Sequence, residues 1–436
     1  MTSLYPLYSL REWYRNPEGN VNIRPNISGF YAAFCGGQPA GLFWAMATAG
    51  LTEKERSNMR FATAAIHVGQ EPDPVTGATV PPIHVTTTYT QESPGKHKGF
   101  EYSRSSNPTR VGLEKCLAAI EGGAAARVFA SGSAATASIF GMLRPGDSVV
   151  AYADVYGGTY RLLERVYRPW GLVPRYTEST APAEFDKLID GTTKVVWLET
   201  PTNPLLRVLD IRALADLCKS RGVALAVDNT FATPALQRPL ELGADYVVHS
   251  TTKYLGGHSD VIGGAVIVKD AARIEAVQFH LNSAGACPGP FDCYLTHRGI
   301  KTLAVRIQAH CRNALALAER LVGNAKLASV AYPFLAEHPD SALARKQMAG
   351  GGGIVTIVFK DGFETARRFC ERVQVFSLAE SLGGVESLVN YPPIMTHASI
   401  PREIREARGI TDGLVRLSVG IEDVEDLWED VAQALK

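Results

Sequence analysis

Lys253 sits in HSTTKYLGGHSD (249–260), directly after the apolar run Tyr246–Val248, with Ser250 and Thr252 just before it. A lysine amine that loses its proton is a nucleophile and forms a Schiff base with a carbonyl. Partial burial lowers its pKa in that direction. Hydroxyls beside it can grip a phosphate. The plain alternative is a solvated surface lysine, the usual fate of this residue type.

Four other stretches follow apolar runs in the same way. Asp228 closes Val223–Val227 and opens Asp228-Asn229-Thr230. A carboxylate at the end of an apolar strand is costly without a partner. A pyridinium nitrogen is such a partner; a turn aspartate bonding its own backbone is the alternative. After Val128–Ala130 comes SGSAAT (131–136), a small turn running into a helix. Free N–H groups at that helix start can hold a phosphate, or the turn is only an N-cap. Tyr156, in DVYGGTYR (154–161), can stack on a planar ring or be an ordinary half-buried tyrosine. Asn203, between Pro201 and Pro204 in LETPTNP (198–204), is in a rigid loop, and on the plain reading is a turn residue.

The elements that must position these residues are legible as a pattern. Val128–Ala130, Ser148–Tyr152, Lys194–Leu198, Val223–Val227, Tyr246–Val248 and Ala265–Val268 read as buried strands, and their continuous apolar character suits a parallel sheet covered on both faces. Between them Pro108–Glu121, Ala134–Leu143, Tyr160–Tyr167 and Ile211–Lys219 read as helices. Such alternation predicts a doubly wound α/β domain, whose ligands bind beyond the carboxyl ends of the strands. From about Lys301 a long helix begins. Strand-like Ile354–Phe359, a helix after Gly362 and an acidic helix near 422–436 follow, as a smaller α+β domain.

The expected organisation is an extension over 1–58, an arm over 59–117, a large domain over 118–302 and a C-terminal domain over 303–436. The extension carries no charge from Pro25 to Thr52, but Gly36, Gly37, Gln38 and Pro39 interrupt it. No clean stretch of about 20 apolar residues remains for a membrane span. The run reads as a poorly ordered extension, with residues 1–45 dispensable and the catalytic chain beginning near Met46 or Met59; a targeting peptide, which Arg11, Arg15 and Arg24 suit and Glu12 and Glu18 do not, is the alternative.

Composition excludes several classes. In 436 residues, Lys plus Arg and Asp plus Glu are equal at 44 each, so the net charge is zero and a general nucleic-acid surface is not expected. Seven cysteines without Cys-x-x-Cys spacing argue against a disulfide framework or zinc ribbon and for reduced thiols in a cytoplasm. No His-Glu-x-x-His occurs, and no metal is expected. The Gly-x-Gly-x-x-Gly of a nicotinamide dehydrogenase is missing after the first strand, and Gly350–Gly353 lacks the Gly-Lys-Ser/Thr of a phosphate loop.

YSRSSNPTR (102–110), SGSAAT, DVYGGTYR, ETPTNP, VDNTF, STTKYLGGHSD, AESLGGVESL (379–388), IMTHAS (394–399) and VRLSVGIEDVEDL (415–427) occur in that order. Together they resemble the motifs of the Cys/Met-metabolism pyridoxal-phosphate (PLP) enzymes of fold-type I. The resemblance runs from about Phe61 to the C-terminus. It implies an aspartate-aminotransferase-like large domain with a mostly parallel sheet, plus the smaller α+β C-terminal domain. It also implies PLP carried on Lys253, with Asp228 on the pyridine nitrogen and Tyr156 stacked on the ring. Gly132, Ser133, Ser250 and Thr252 would hold the phosphate, completed by Tyr102 and Arg104 of a neighbouring subunit in a dimer-built tetramer. Arg416, with Asn203 and Ser381, would bind the substrate α-carboxylate, which a guanidinium fork suits. For Arg416 the alternative is a structural ion pair within the second domain.

Within the family, Gly158 stands where methionine γ-lyases carry a cysteine, and Glu380 where they have no acid. That pattern resembles the branch that handles cystathionine. GFEYSRSSNPTR, FDCYLTHRGIKTL and AESLGGVESL look closest to the γ-lyases; the γ-synthases share nearly all the same residues, Arg161 included. The resemblance thus implies a sulfur amino-acid substrate, with Glu380, Glu101 and Arg161 among its contacts and Tyr156 and Lys253 as the catalytic pair. The expected reaction is γ-elimination on cystathionine. γ-Replacement on an O-acylhomoserine, by cysteine or by a sulfhydrylase route, is the alternative.

Overall fold

The computed structural model describes residues 59–398 and 400–436. The expected extension over 1–58 falls on residues outside this range. After a short ribbon, β1 (Gln91–Ser93) and β2 (Lys96–His97), seven strands build a large sheet: β3 (Ala125–Phe129), β4 (Ser148–Tyr152), β5 (Val173–Thr177), β6 (Thr193–Glu199), β7 (Ala224–Asp228), β8 (Tyr246–Ser250) and β9 (Gly264–Val268). Their order is β3-β9-β8-β7-β6-β4-β5. The five strands from β8 to β5 pair in parallel, and β9 runs antiparallel between β3 and β8. Because β9 opposes both neighbours, β3 points the same way as the parallel five. The expected mostly parallel sheet is present, with one reversed strand.

Side chains alternate across a strand, and β6 shows why its run is apolar throughout. Val196 and Leu198 enter one core with Leu113 and Leu117 of the helix Pro108–Glu121 and Leu214 of the helix Ile211–Arg221. Val195 and Trp197 enter the other, with Ile139 and Phe140 of the helix Gly132–Gly141. A strand covered on both faces has no polar side to display. Every residue of β4 and of β9 is buried.

A second sheet holds β10 (Leu327–Ala331), β11 (Ile354–Phe359), β12 (Ser377–Leu378), β13 (Leu388–Asn390) and β14 (Leu414–Ser418), in the order β10-β11-β14-β13-β12. The helices Leu303–Leu321, Phe363–Arg372 and Val424–Ala434 supply Leu317, Phe369 and Val431 to its core, against Val355 and Leu417. The central strand β14 sets Arg416 opposite Thr356 on one side and Asn390 on the other.

Several elements differ from the sequence reading. Strand β5 was not expected, because VPRYT contains no apolar run. It is an edge strand beside β4, where Pro174 is tolerated for want of a further partner. Strands β10, β12, β13 and β14 were also not foreseen. The helix expected from Ala134 begins at Gly132, because the Ser131 hydroxyl caps it by accepting the Ala134 N–H at 3.1 Å. The helix expected from Tyr160 begins at Gly157 and passes into a wider π turn over Leu163–Tyr167. The boundary drawn after residue 117 falls inside the helix Pro108–Glu121. Among the described residues no helix is long and apolar enough to cross a membrane.

Candidate active site

A cavity of about 260 Å³ opens where β3, β4, β6, β7 and β8 end together. The shared edge follows from the parallel topology, since each strand's carboxyl end, and the residue that follows it, reaches the same side. The second sheet closes the cavity with Glu380, Ser381 and Leu382 from the segment between β12 and β13, and with Arg416 from β14.

Lys253 lines this cavity, and its Nζ donates to Ser381 Oγ at 2.8 Å. Burial first, then the positive charge of Arg416, brings its amine down to about 8; the charge of Glu380 opposes them. A useful fraction of neutral amine is therefore present near neutral pH, as a nucleophile or base requires. The reading of Lys253 as a solvated surface residue does not fit this placement.

Arg416 is 1% exposed. Its Nη1 donates to Asn203 Oδ1 at 2.9 Å and its Nη2 to the Ser381 carbonyl at 2.8 Å, while Nε is buried without a partner. It forms no ion pair with any described carboxylate, so the structural ion-pair alternative finds no partner here. Burial pulls its pKa down to about 10. A buried guanidinium bonded only by neutral acceptors calls for an anion, and its cavity is where one can arrive. Asn203 is itself buried, and its carbonyl takes His397 Nε2 at 3.1 Å.

At the other end of the cavity, Gly132 and Ser133 form the first turn of the helix Gly132–Gly141. The helix offers no acceptor for N–H groups in its first turn. A Cβ on Gly132 would stand 2.7 Å from Ser250 Cβ, so only glycine lets this turn approach β8. The Ser250 N–H donates to Thr230 Oγ1 at 2.8 Å, and Thr252 Oγ1 is bonded to Gly263. Ser250, Thr252 and Thr230 all line the cavity.

Asp228 ends β7 and accepts the Thr230 N–H at 2.9 Å through Oδ1. The turn bond and the cavity position, posed as alternatives from sequence, coexist. Burial raises its pKa. Tyr156 is half exposed above the cavity, and its phenol is pushed up, chiefly by burial. Its ring lies over Gly158, where a Cβ would come within 2.2 Å of Tyr156 Cε1. Glu380 also lines the cavity and is exposed, at its rim.

Four expected residues do not line the cavity of this chain, and three of them, Glu101, Tyr102 and Arg104, are exposed on the segment after the β1–β2 ribbon. Glu101 pairs with His97 at 3.0 Å, and Arg104 Nε donates to Asn282 at 3.3 Å. Arg161 is exposed on the helix Gly157–Leu162, outside the lining but near enough for its charge to lower the Tyr156 phenol. Sequence reasoning passed over Glu199, Thr159 and Thr230, which line the cavity. Glu199 had the same signal as Asp228, an acid closing an apolar strand.

The donor set fits a phosphorylated pyridine aldehyde: a glycine-opened helix start, a carboxylate, an aromatic ring, and an amine of lowered pKa. Among the described residues no cluster of three His, Cys, Asp or Glu could hold a metal ion.

A family model described as Cys/Met metabolism PLP-dependent enzyme matches residues 62–436. The chain is 52% identical over 379 residues to the cystathionine gamma-synthase of Mycobacterium tuberculosis, covering 86% of this chain and 96% of that protein. It is 48% identical over 387 residues to the cystathionine beta-lyase of Coxiella burnetii, covering 88% and 100%. The solved structure of cystathionine gamma-lyase from Lactobacillus plantarum complexed with L-serine aligns with a TM-score of 0.84 at 42% identity, covering 86% of this chain and 98% of that one.

Proposed function

Because the chain belongs to the Cys/Met metabolism PLP-dependent enzymes, we propose that it cleaves L-cystathionine by γ-elimination to L-cysteine, 2-oxobutanoate and ammonia. The observation that carries an amino-acid substrate is Arg416, buried, without a carboxylate partner among the described residues and open to the cavity that holds Lys253. Glu380 at the rim supports cystathionine in particular, since a carboxylate there can meet the amino group at the substrate's far end.

In this reading Gly132, Ser133, Ser250 and Thr252 would hold the PLP phosphate, Asp228 would pair with the ring nitrogen, Tyr156 would stack on the ring, and Lys253 is the amine that would hold the cofactor. Bound PLP supplies the electron sink for charge left at the substrate Cα. Arg416, with Asn203 and Ser381, grips the α-carboxylate and fixes the Cα–H bond toward Lys253. The Lys253 amine is placed to remove the Cα proton and then a Cβ proton. Expulsion of a thiol from Cγ requires both. Tyr156, raised in pKa and therefore protonated at neutral pH, can deliver a proton to the leaving sulfur.

The same reading has a second copy of the chain supplying Glu101, Tyr102 and Arg104 to the cavity, which explains their exposure here, in a dimer-built tetramer of the cytoplasm. A second reaction has its own support: the 52% identity to a cystathionine gamma-synthase. If a thiol rather than water takes the four-carbon unit, the same residues perform γ-replacement on an O-acylhomoserine.

The test is to incubate the pure enzyme with cystathionine, and separately with an O-acylhomoserine plus cysteine. Cysteine and 2-oxobutanoate from the first as the faster reaction support the proposal. Cystathionine from the second as the faster one makes the chain a γ-synthase. Pyruvate and homocysteine from the first would overturn both.

A further inference from the structure

Glu199 lines the cavity, yet no step above uses it. It closes β6 in register with Asp228 on β7 and is 6% exposed. Three donors converge on it. Oε2 accepts the Tyr156 N–H at 2.6 Å, and Oε1 accepts the Thr159 hydroxyl at 2.6 Å and the Trp197 indole N–H at 3.3 Å. A side chain met by donors alone is matched to a carboxylate, which only accepts.

Tyr156 immediately precedes the helix Gly157–Leu162, and its own side chain caps nothing there. Its N–H and the Thr159 hydroxyl both tie this turn to the sheet edge at Glu199, beside the bond from the Ala153 N–H to the Thr177 carbonyl at the end of β5. On the opposite side Gly157 abuts the Thr396 carbonyl, which a Cβ would approach to 2.3 Å. The loop is thus held between Glu199 and the segment around Thr396, with the Tyr156 ring over the cavity. Sheet register fixes Glu199 beside Asp228.

We infer that Glu199 is a positioning residue of the reaction, clamping the Tyr156 loop to the strand edge so that Tyr156 and Asp228 keep one spacing about the cofactor ring. The inference rests on the proposed roles of those two residues. Glu199 itself touches the backbone of one and the neighbouring strand of the other. Burial, then the neighbouring Asp228 carboxylate, push the Glu199 carboxyl up to about 8 against the three donors that favour its charged form, so the clamp is its set of acceptors and not a full charge.

The test compares wild type, Glu199→Leu and Glu199→Gln as holoenzymes. The readouts are PLP retained after dialysis, the visible band of the bound cofactor, kcat and KM taken separately, and circular dichroism. Glu199→Leu is expected to lose PLP more readily and to lower kcat on the order of tenfold or more, the scale of leaving a buried donor without its acceptor, with KM within about threefold of wild type. Glu199→Gln keeps one acceptor for the Tyr156 N–H and falls between the two. A folded Glu199→Leu that matches wild type in retention, band and kcat overturns the inference. If Glu199→Leu does not fold, Glu199→Gln decides it: equality with wild type overturns it, and weakened retention with lowered kcat supports it. A wild-type protein without a PLP band or turnover would instead sink the proposed function.

Discussion

Lys253, in the turn after β8 of the large sheet, and Ser381, between β12 and β13 of the second, meet at 2.8 Å, amine to hydroxyl. Ser381 holds φ at +88°, a left-handed conformation unusual for a residue with a Cβ. In that conformation its hydroxyl reaches Lys253 while its carbonyl takes Arg416 at 2.8 Å. One strained residue therefore joins the amine proposed to move protons to the guanidinium proposed to hold the carboxylate. Strain of this kind persists where surrounding contacts over-determine it.

Replacing Ser381 separates the strain from the chemistry. Ser381→Ala removes the hydroxyl and keeps the strain; kcat/KM is expected to fall on the order of tenfold. Ser381→Gly loses the same hydroxyl but relieves about 1 kcal/mol of backbone cost. The glycine variant should therefore melt above the alanine variant at similar activity. Equal melting temperatures would remove the strain argument.

Arg416→Leu should separate function from stability. A buried guanidinium without an anion costs desolvation that a leucine does not incur, so melting of the substrate-free enzyme should not fall. With the carboxylate fork gone, kcat/KM should drop by about a hundredfold or more. Thermal unfolding and steady-state kinetics on one preparation check both. A large loss of stability would mean that Arg416 serves the fold.

The depressed pKa of Lys253 predicts how apoenzyme stability depends on pH. Its folded value, about 8, lies below the usual 10.5. Between these pH values the unfolded chain binds the proton and the folded chain does not, so stability rises with pH across that window. Below about 8 the penalty is fully present. Relative to Lys253→Met, wild-type apoenzyme should be less stable at pH 7.5, by at most about 3 kcal/mol, and should converge on it toward pH 10.5. Denaturant unfolding of both apoproteins across that range measures the difference; a constant gap would refute the lowered pKa.

The exposed Arg104 predicts complementation between subunits. Arg104→Ala should weaken PLP retention, and Lys253→Ala should abolish the visible band and turnover. Mixed and allowed to exchange, the two inactive proteins should regain part of the wild-type activity, because some sites then combine an intact Arg104 with an intact Lys253. Native mass spectrometry establishes exchange first. Exchanged subunits without recovered activity would show that the sites are not shared.

The order of the motifs and the apolar runs that precede them were decided in the sequence. A strand buried on both faces must be apolar along its length, so β4, β6, β7, β8 and β9 announce themselves, and a charged residue at the end of such a run stands out as Asp228 and Lys253 do. Which residues meet across the gap between the two sheets came from the family resemblance, not from any local pattern of residues. Ser381 and Arg416 lie far along the chain from Lys253, and their approach depends on how β14 pairs and how the segment between β12 and β13 folds, in strands too short or too mixed in composition to read locally. β5 went unread for a similar reason, since an edge strand drawing its register from β4 need not be apolar. Glu199 shows the remaining limit. Its position at the end of an apolar strand was visible, but its function as an acceptor for Tyr156, Thr159 and Trp197 exists only once the turn after β4 folds back over the end of β6.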